Sequence, residues 1–329
     1  MRHQSPRIAV VGSLNMDLVL RCQQLPQRGE TVMGNGVEQI PGGKGGNQAT
    51  AAARLGARVA MIGCVGDDVF GAALRSSLQR EGIDVTNLKA VPDTVSGMAL
   101  ITVEESGQNT IVVEPGANAL LSPADVQAAE QEIAAADVLL LQLEVPLLTS
   151  VAAVEIARKH GVRVQLNPAP APEALPPELW QSDWLCPNET EAARLTGQPI
   201  SSPAAAATAA LELARRAAGN VLITLGENGL LLVTKGQCWQ AGVFRIQPVD
   251  ATAAGDACVA AWAVAIAEGR SIQDCIRFAA AAGAMTVSRH GASTSLPWRA
   301  EVERLLGTQP EAGQLRIATA DEDKIEGSS

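Results

Sequence analysis

PGGKGGNQATAAARLGARVAMIGCV, residues 41–65, decides the fold class: a glycine-rich turn opens an alanine-rich helix, Gly56 closes it, and an apolar β-type run follows. Glycine costs conformational entropy, so four of them around Lys44 at a helix start suggest main chain touched by a ligand. The segment is not a P-loop, because Gly45 rather than Ser or Thr follows Lys44, and the Gly-x-Gly-x-x-Gly dinucleotide spacing is missing. Working outward, the same alternation recurs. Apolar runs at 8–11, 138–143, 162–166 and 221–225 are separated by helical stretches. Ser122-Pro123 and Ser202-Pro203 start two of these, and Gly82, Gly161 and Gly219 end others. This predicts an α/β fold, a doubly wound, mostly parallel sheet flanked by helices. Residues 18–40 and 96–115 break the pattern, and GMALITVEESGQNTIVVEP in the second reads as two strands around a turn at Gly107.

DATAAGD, residues 250–256, runs into an apolar stretch at 257–267 that reads as a buried helix. Bare amides and the helix dipole at such a start attract an anion such as a transferring phosphate, and Asp256 beside them has the chemistry of a general base. The residues alone leave open that Asp256 merely caps a core helix. They leave other readings open too. Glu144 follows a strand as an ordinary loop acid would. Asn188 and Glu191 have the spacing of a capping box, and Thr224, Gly226 and Gly229 in TLGENG could form only a tight turn.

Together these segments resemble the ribokinase-type carbohydrate kinases, as do VVGSLNMDLVL, RGETV, LQLEVP, LNPAPA, PNETEAARLTG, VLITLGENG and GASTSLPW. The similarity spans about residues 8–306. It implies ATP-dependent phosphorylation of the 5-hydroxyl of D-ribose with Mg²⁺ and K⁺. The alternatives it leaves are a kinase for 2-deoxyribose, fructose or a nucleoside, or a sugar-binding protein without catalysis. By resemblance, residues 1–310 form the kinase domain and the two irregular segments form a β-sheet lid through which two copies dimerise. Asn15, Asp17, Gly43, Lys44, Asn47 and Glu144 would line the sugar pocket. Asn188, Glu191, Thr224, Gly226, Gly229 and Gly255 would serve ATP, with Glu191 reaching Mg²⁺ through water. The amides of Ala253, Ala254, Gly255 and Asp256 would form an anion hole, and Asp256 would take the sugar's proton. Asp250, Thr252, Thr286, Arg289 (by its carbonyl), Gly291 and Ser295 would wrap K⁺. Ala253 and Cys258 stand where Gly and Phe are frequent in the family.

Composition sets limits consistent with this. The 329 residues are 47% hydrophobic, enough for a large core, and a formal net charge of −10 argues against a nucleic-acid partner. The six cysteines are scattered without a CxxC pair, which predicts neither a zinc site nor a disulfide framework and fits a reducing cytoplasm. The N-terminal apolar run is too short for a signal peptide, and no stretch reaches the roughly 20 residues of a membrane span. Residues 311–329, polar and acidic, are expected to be disordered.

Overall fold

The computed structural model describes residues 5–217 and 219–318. Its strands are β1 (Arg7–Val11), β2 (Asn15–Cys22), β3 (Gly34–Gly42), β4 (Arg58–Gly66), β5 (Leu88–Val91), β6 (Gly97–Glu104), β7 (Asn109–Glu114), β8 (Val138–Leu141), β9 (Arg163–Leu166), β10 (Trp184–Leu185), β11 (Val221–Thr224), β12 (Leu230–Thr234), β13 (Gln237–Ala241) and β14 (Leu315–Ile317). The helices are α1 (Lys44–Arg54), α2 (Val69–Arg80), α3 (Pro123–Ala128), α4 (Glu130–Ala134), α5 (Leu147–Lys159), α6 (Glu189–Thr196), α7 (Pro203–Arg216), α8 (Ala254–Ala267), α9 (Ile272–Val287) and α10 (Arg299–Thr308).

The large sheet has the order β5-β4-β1-β8-β9-β10-β11-β12-β13-β14. Its pairs are parallel from β5 to β11 and antiparallel beyond. Helices cover both faces, so the central strands are buried twice over and read as continuous apolar runs. Side chains nevertheless alternate between two cores. Val10 and Leu140 pack with Ala260 of α8 and Phe278 of α9, whereas Val11 and Leu141 pack with Val154 of α5 and Leu213 of α7. The chain leaves β1 for β4 and β5 on one side and returns to β8 on the other. The strand order therefore reverses between β1 and β8, and a crevice at their carboxyl ends is the natural ligand site of such a sheet.

The two segments that interrupt the alternation form a second sheet, β3-β2-β6-β7. Beyond β11 the hairpin of β12 and β13 extends the large sheet through Lys235 and Gly236, whose φ values of 51° and 74° are those of a two-residue turn. One expectation is corrected. The tail is not disordered from residue 311, since β14 adds to the edge of β13, Leu315 pairing with Ala241 and Ile317 with Trp239. Arg277 donates to the Ala312 carbonyl, and Gln273 bonds both the Gly313 carbonyl and the Leu315 amide. A three-residue strand is too brief to show a period in sequence. Residues 319–329 lie outside the described part. All six cysteines are free and buried, and among the described residues no helix is long and apolar enough to cross a membrane.

Candidate active site

At the carboxyl ends of β1 and β8, the glycine-rich turn before α1 crosses the connection from β1 to β2. Gly43 is the N-cap of α1 with φ 82°, and a Cβ there would stand 2.6 Å from the Asn15 amide nitrogen. A Cβ on Gly45 would meet the Ser13 backbone at 2.6 Å, and one on Gly42 would fall 2.3 Å from an Asp17 carboxylate oxygen. The close approach inferred from these glycines is thus first to the chain's own backbone, a correction to reading them as ligand contacts alone. The crossing is bonded as well as close. Glu144 Oε2 accepts from the Lys44 amide at 3.0 Å and from the Ser13 hydroxyl at 2.5 Å.

Asp256 lies on the floor of this crevice, 6% exposed. It does not cap α8. Ala253 is the N-cap, without a side-chain hydrogen bond, and Asp256 is the third helical residue, which excludes the capping alternative. Its Oδ2 accepts from Asn47 Nδ2 at 2.9 Å and its Oδ1 from Gln48 Nε2 at 3.0 Å. Burial raises its pKa, opposed by the Lys44 charge and by those two amides. Asp17 is pushed up to about 7 by burial, with the charges of Glu144 and Asp256 adding to it. Burial alone would lower the Lys44 pKa, but Asp256, Glu144 and Glu191 together raise it, so the ammonium stays charged among carboxylates. Two amides complete the floor. Asn15 Oδ1 accepts from Asn118 Nδ2 at 2.8 Å, which commits the Asn15 oxygen and leaves its nitrogen as a donor. Asn47 Oδ1 is buried with no partner at all, a costly state that a hydroxyl donor would relieve.

The start of α8 offers bare donors, though not all those expected. The Ala254 amide donates to the Ala251 carbonyl, whereas no protein acceptor faces the amides of Ala253, Gly255 and Asp256. No heavy atom lies within 4 Å of where a Gly255 Cβ would be, leaving room for a ligand. Ala253 has φ 60°, a left-handed conformation that explains why glycine suits this position. Cys258, one turn on, packs against Gly283 of α9, 3.6 Å from a Cβ placed there.

Asn188 and Glu191 do form a capping box: Asn188 Oδ1 accepts from the Glu191 amide and Glu191 Oε2 from the Asn188 amide, each at 2.8 Å. The cap leaves Glu191 facing the crevice, where burial raises its pKa against the pull of the Asn188 amide and Lys44. Thr224 bridges to Asn188, Gly226 is open on its Cβ side, and Gly229 is taken by the fold, since a Cβ there would meet the Ala241 carbonyl at 2.4 Å.

Asp250 Oδ1 accepts from the amide and hydroxyl of Thr252, and its Oδ2 accepts from the Gly291 amide at 2.9 Å. Burial would raise the Asp250 pKa, but these donors outweigh it and hold the group ionised. The Thr286 and Ser295 hydroxyls are buried and donate to Ala282 and Ala292 carbonyls, which leaves their oxygens as acceptors. The Arg289 guanidinium pairs with Glu301, so only its backbone can serve the loop. This is an oxygen-rich loop with one fixed anion, and it joins the small sheet: Ala292 is buried with Val19 and Ile40, and Ala253 packs against them.

Reading the sequence missed Ser13, Gln48, Asn118 and Asn167, whose polar atoms bond Glu144, Asp256, Asn15 and Glu191, and Gln142, which bonds Gln48. Gln48 had a signal, as the neighbour of Asn47, and Asn167 lay inside a quoted motif.

Against known proteins, the profile of the pfkB family of carbohydrate kinases matches residues 5–299. The chain is 42% identical to a ribokinase of Haemophilus influenzae over 91% of its own length and 98% of that protein's. It is also 37% identical to a deoxyribokinase of Salmonella typhi, over 88% of this chain and 95% of that one. A structure of Arabidopsis thaliana ribokinase complexed with ribose and ATP superposes with a TM-score of 0.83 at 33% identity, covering 92% of this chain and 99% of that one.

Proposed function

The chain belongs to the pfkB family of carbohydrate kinases, and from that premise we propose that it phosphorylates the 5-hydroxyl of D-ribose with ATP. The observation that carries this is Asn47, which holds Asp256 with its nitrogen and leaves its oxygen buried and unpaired beside it. A sugar hydroxyl seated there satisfies the orphan acceptor and lies within reach of the base. Asp256 accepts the hydroxyl proton as the oxygen attacks the γ-phosphorus and the bond to the β-phosphate oxygen breaks, releasing ADP. The free amides at the head of α8 take the charge that builds on the transferring group. Asp17, Glu144, Asp256 and Glu191 outnumber Lys44, so a triphosphate is repelled unless these amides and a divalent cation offset the acids. Among the described residues no cluster of three or more His, Cys, Asp or Glu could hold a metal unaided. This suits Mg²⁺ held by phosphate oxygens and water, with Glu191 ordering the water. Release of ADP measured over a panel of sugars tests the reading, and no turnover on any of them refutes it.

Asn15, Asp17, Gly43, Lys44 and Glu144 form the sugar pocket in this reading. The deoxyribokinase relative keeps 2-deoxyribose as a second reading. Asn15 favours ribose, because its oxygen is taken by Asn118 and its nitrogen needs an acceptor that the 2-hydroxyl supplies. Without that hydroxyl the donor is left unpaired at about 1–3 kcal/mol, so kcat/KM on 2-deoxyribose should be one to two orders of magnitude lower. Asn15→Ala should narrow the gap. Equal use of both sugars by the unmodified chain would refute ribose while leaving the kinase.

K⁺ belongs to the proposal through the Asp250 loop. Its bonds among Asp250, Thr252 and Gly291 adjoin the head of α8, so a bound monovalent cation there orders the anion-binding amides. Replacing K⁺ by Na⁺ at fixed Mg²⁺ should lower kcat severalfold or more; indifference would remove the cation from this account. Asn188, Thr224 and Gly226 serve the nucleotide, while Gly229 only shapes the turn beside it. The small sheet acts as a lid and as the contact with a second copy, supported by Val37, Leu100 and Val112, apolar, exposed and on one face. A cytoplasmic location completes the reading, with ribose and ATP as partners.

A further inference from the structure

Asp256 needs more than Asn47 to act as a base. Three carboxylates and one cation face it: Asp17 from β2, Glu144 after β8, Glu191 from α6 and Lys44 from α1. Asn47 is also committed to the crevice through its other atom. The second donor to Asp256 is Gln48, which has no exposed surface and so touches no substrate.

The bonds of Gln48 fix its orientation end to end. Its Oε1 accepts from Gln142 Nε2 at 2.6 Å, so its Nε2 faces Asp256 Oδ1 at 3.0 Å and Asn167 Oδ1 at 3.2 Å. Asn167 Nδ2 in turn donates to the Cys186 carbonyl at 2.9 Å and to Glu191 Oε2 at 3.4 Å. A flipped Gln48 amide would set nitrogen against the Gln142 donor and oxygen against two acceptors, an arrangement with no compensation in a dry site. Room for the chain is built in, because a Cβ on Gly12 would overlap Gln142 Oε1 at 2.0 Å. Burying two glutamines and an asparagine costs more than filling the space with leucine unless their polar ends serve something. What they join are two buried acids, Asp256 and Glu191.

We propose that Gln48 is the positioning residue for the general base, aiming the Asp256 carboxylate and tying it through Asn167 to Glu191. This rests on the kinase reading and adds to it a residue outside the crevice. Gln48 acts through Asp256 alone. Its donation to Oδ1 helps keep the buried carboxylate ionised, while Asn47 donates to Oδ2 and offers its own unpaired oxygen to the sugar hydroxyl.

The test uses the full chain with Gln48→Met, Gln48→Glu and Gln142→Met, assayed on ribose and ATP across pH. Gln48→Met should lower kcat by about ten- to a hundredfold with the ribose KM changed less than about threefold. It should also move the acid limb of the kcat profile to higher pH, since burial then goes less opposed. Gln48→Glu should move that limb further, because it sets another carboxylate against Asp256. Gln142→Met, which leaves both Gln48 and Asp256 in place but frees the amide to turn, should lower kcat by about three- to tenfold. If Gln48→Met does not fold, the limb in the other two variants decides. Wild-type kcat, or a loss equal at every pH with the limb unmoved, overturns the proposal for Gln48 while turnover by the unmodified chain leaves the kinase reading standing. No sugar turnover by the unmodified chain overturns both.

Discussion

Asp256→Asn should lower kcat by about a hundredfold to ten-thousandfold while ribose still binds, the range of a lost general base. The substitution is isosteric, and one oxygen remains to accept from Asn47 or Gln48, so the packing of α1 on α8 survives. What is lost is the group proposed to take the sugar's proton. Calorimetric titration with ribose and single-turnover kinetics separate the two effects. Near-wild-type turnover in a folded variant would remove Asp256 from the mechanism.

The second large effect belongs to Gly43. At φ 82° and ψ 141° an L-residue is strained, and an added Cβ would press on the Asn15 nitrogen at 2.6 Å and the Leu14 Cα at 3.0 Å. Backbone on both sides leaves no flexible side chain to yield. Gly43→Ala should therefore cost about 2–4 kcal/mol of stability and at least about tenfold in kcat/KM, because α1 and β2 carry residues of the proposed sugar pocket. Gly82→Ala separates the two causes. Gly82 follows α2 with φ 74° and nothing within 4 Å of its Cβ position, so it carries backbone strain without the clash. Its variant should lose stability alone. Equal kinetic damage from both would refute the close-contact argument.

Local chemistry explains which parts were legible in the sequence. The central strands are buried on both faces, so RIAVV and VLLL stand out as apolar runs, and helix starts such as Ser122-Pro123 carry their own signals. Asp256 and Lys44 were legible because glycines and small residues surround them within one turn. The motifs that hold Gln48, Gln142 and Asn167 gave no sign of their pairings, because Gln48 lies 94 residues from Gln142 and 208 from Asp256 and no local period encodes such a distance. Asn118 is 103 residues from Asn15 for the same reason. The glycines misled in part: entropy arguments show that something approaches closely, but not whether it is ligand or backbone. β14 was missed because an edge strand of three residues depends on β13 being there to receive it.

The buried cysteines give this chain six internal clocks. Burial pushes the Cys64 and Cys238 thiols up to about 11 and those of Cys258 and Cys275 up to about 12, so an alkylating reagent waits for the structure around each to open. Their placement divides the molecule. Cys22 belongs to the small sheet, Cys64 and Cys238 to strands near opposite ends of the large one, Cys186 to the position just after β10 in its middle, and Cys258 and Cys275 to the packed pair α8 and α9. The order in which they are labelled is thus a record of which part of the fold breathes first, written without any engineered probe.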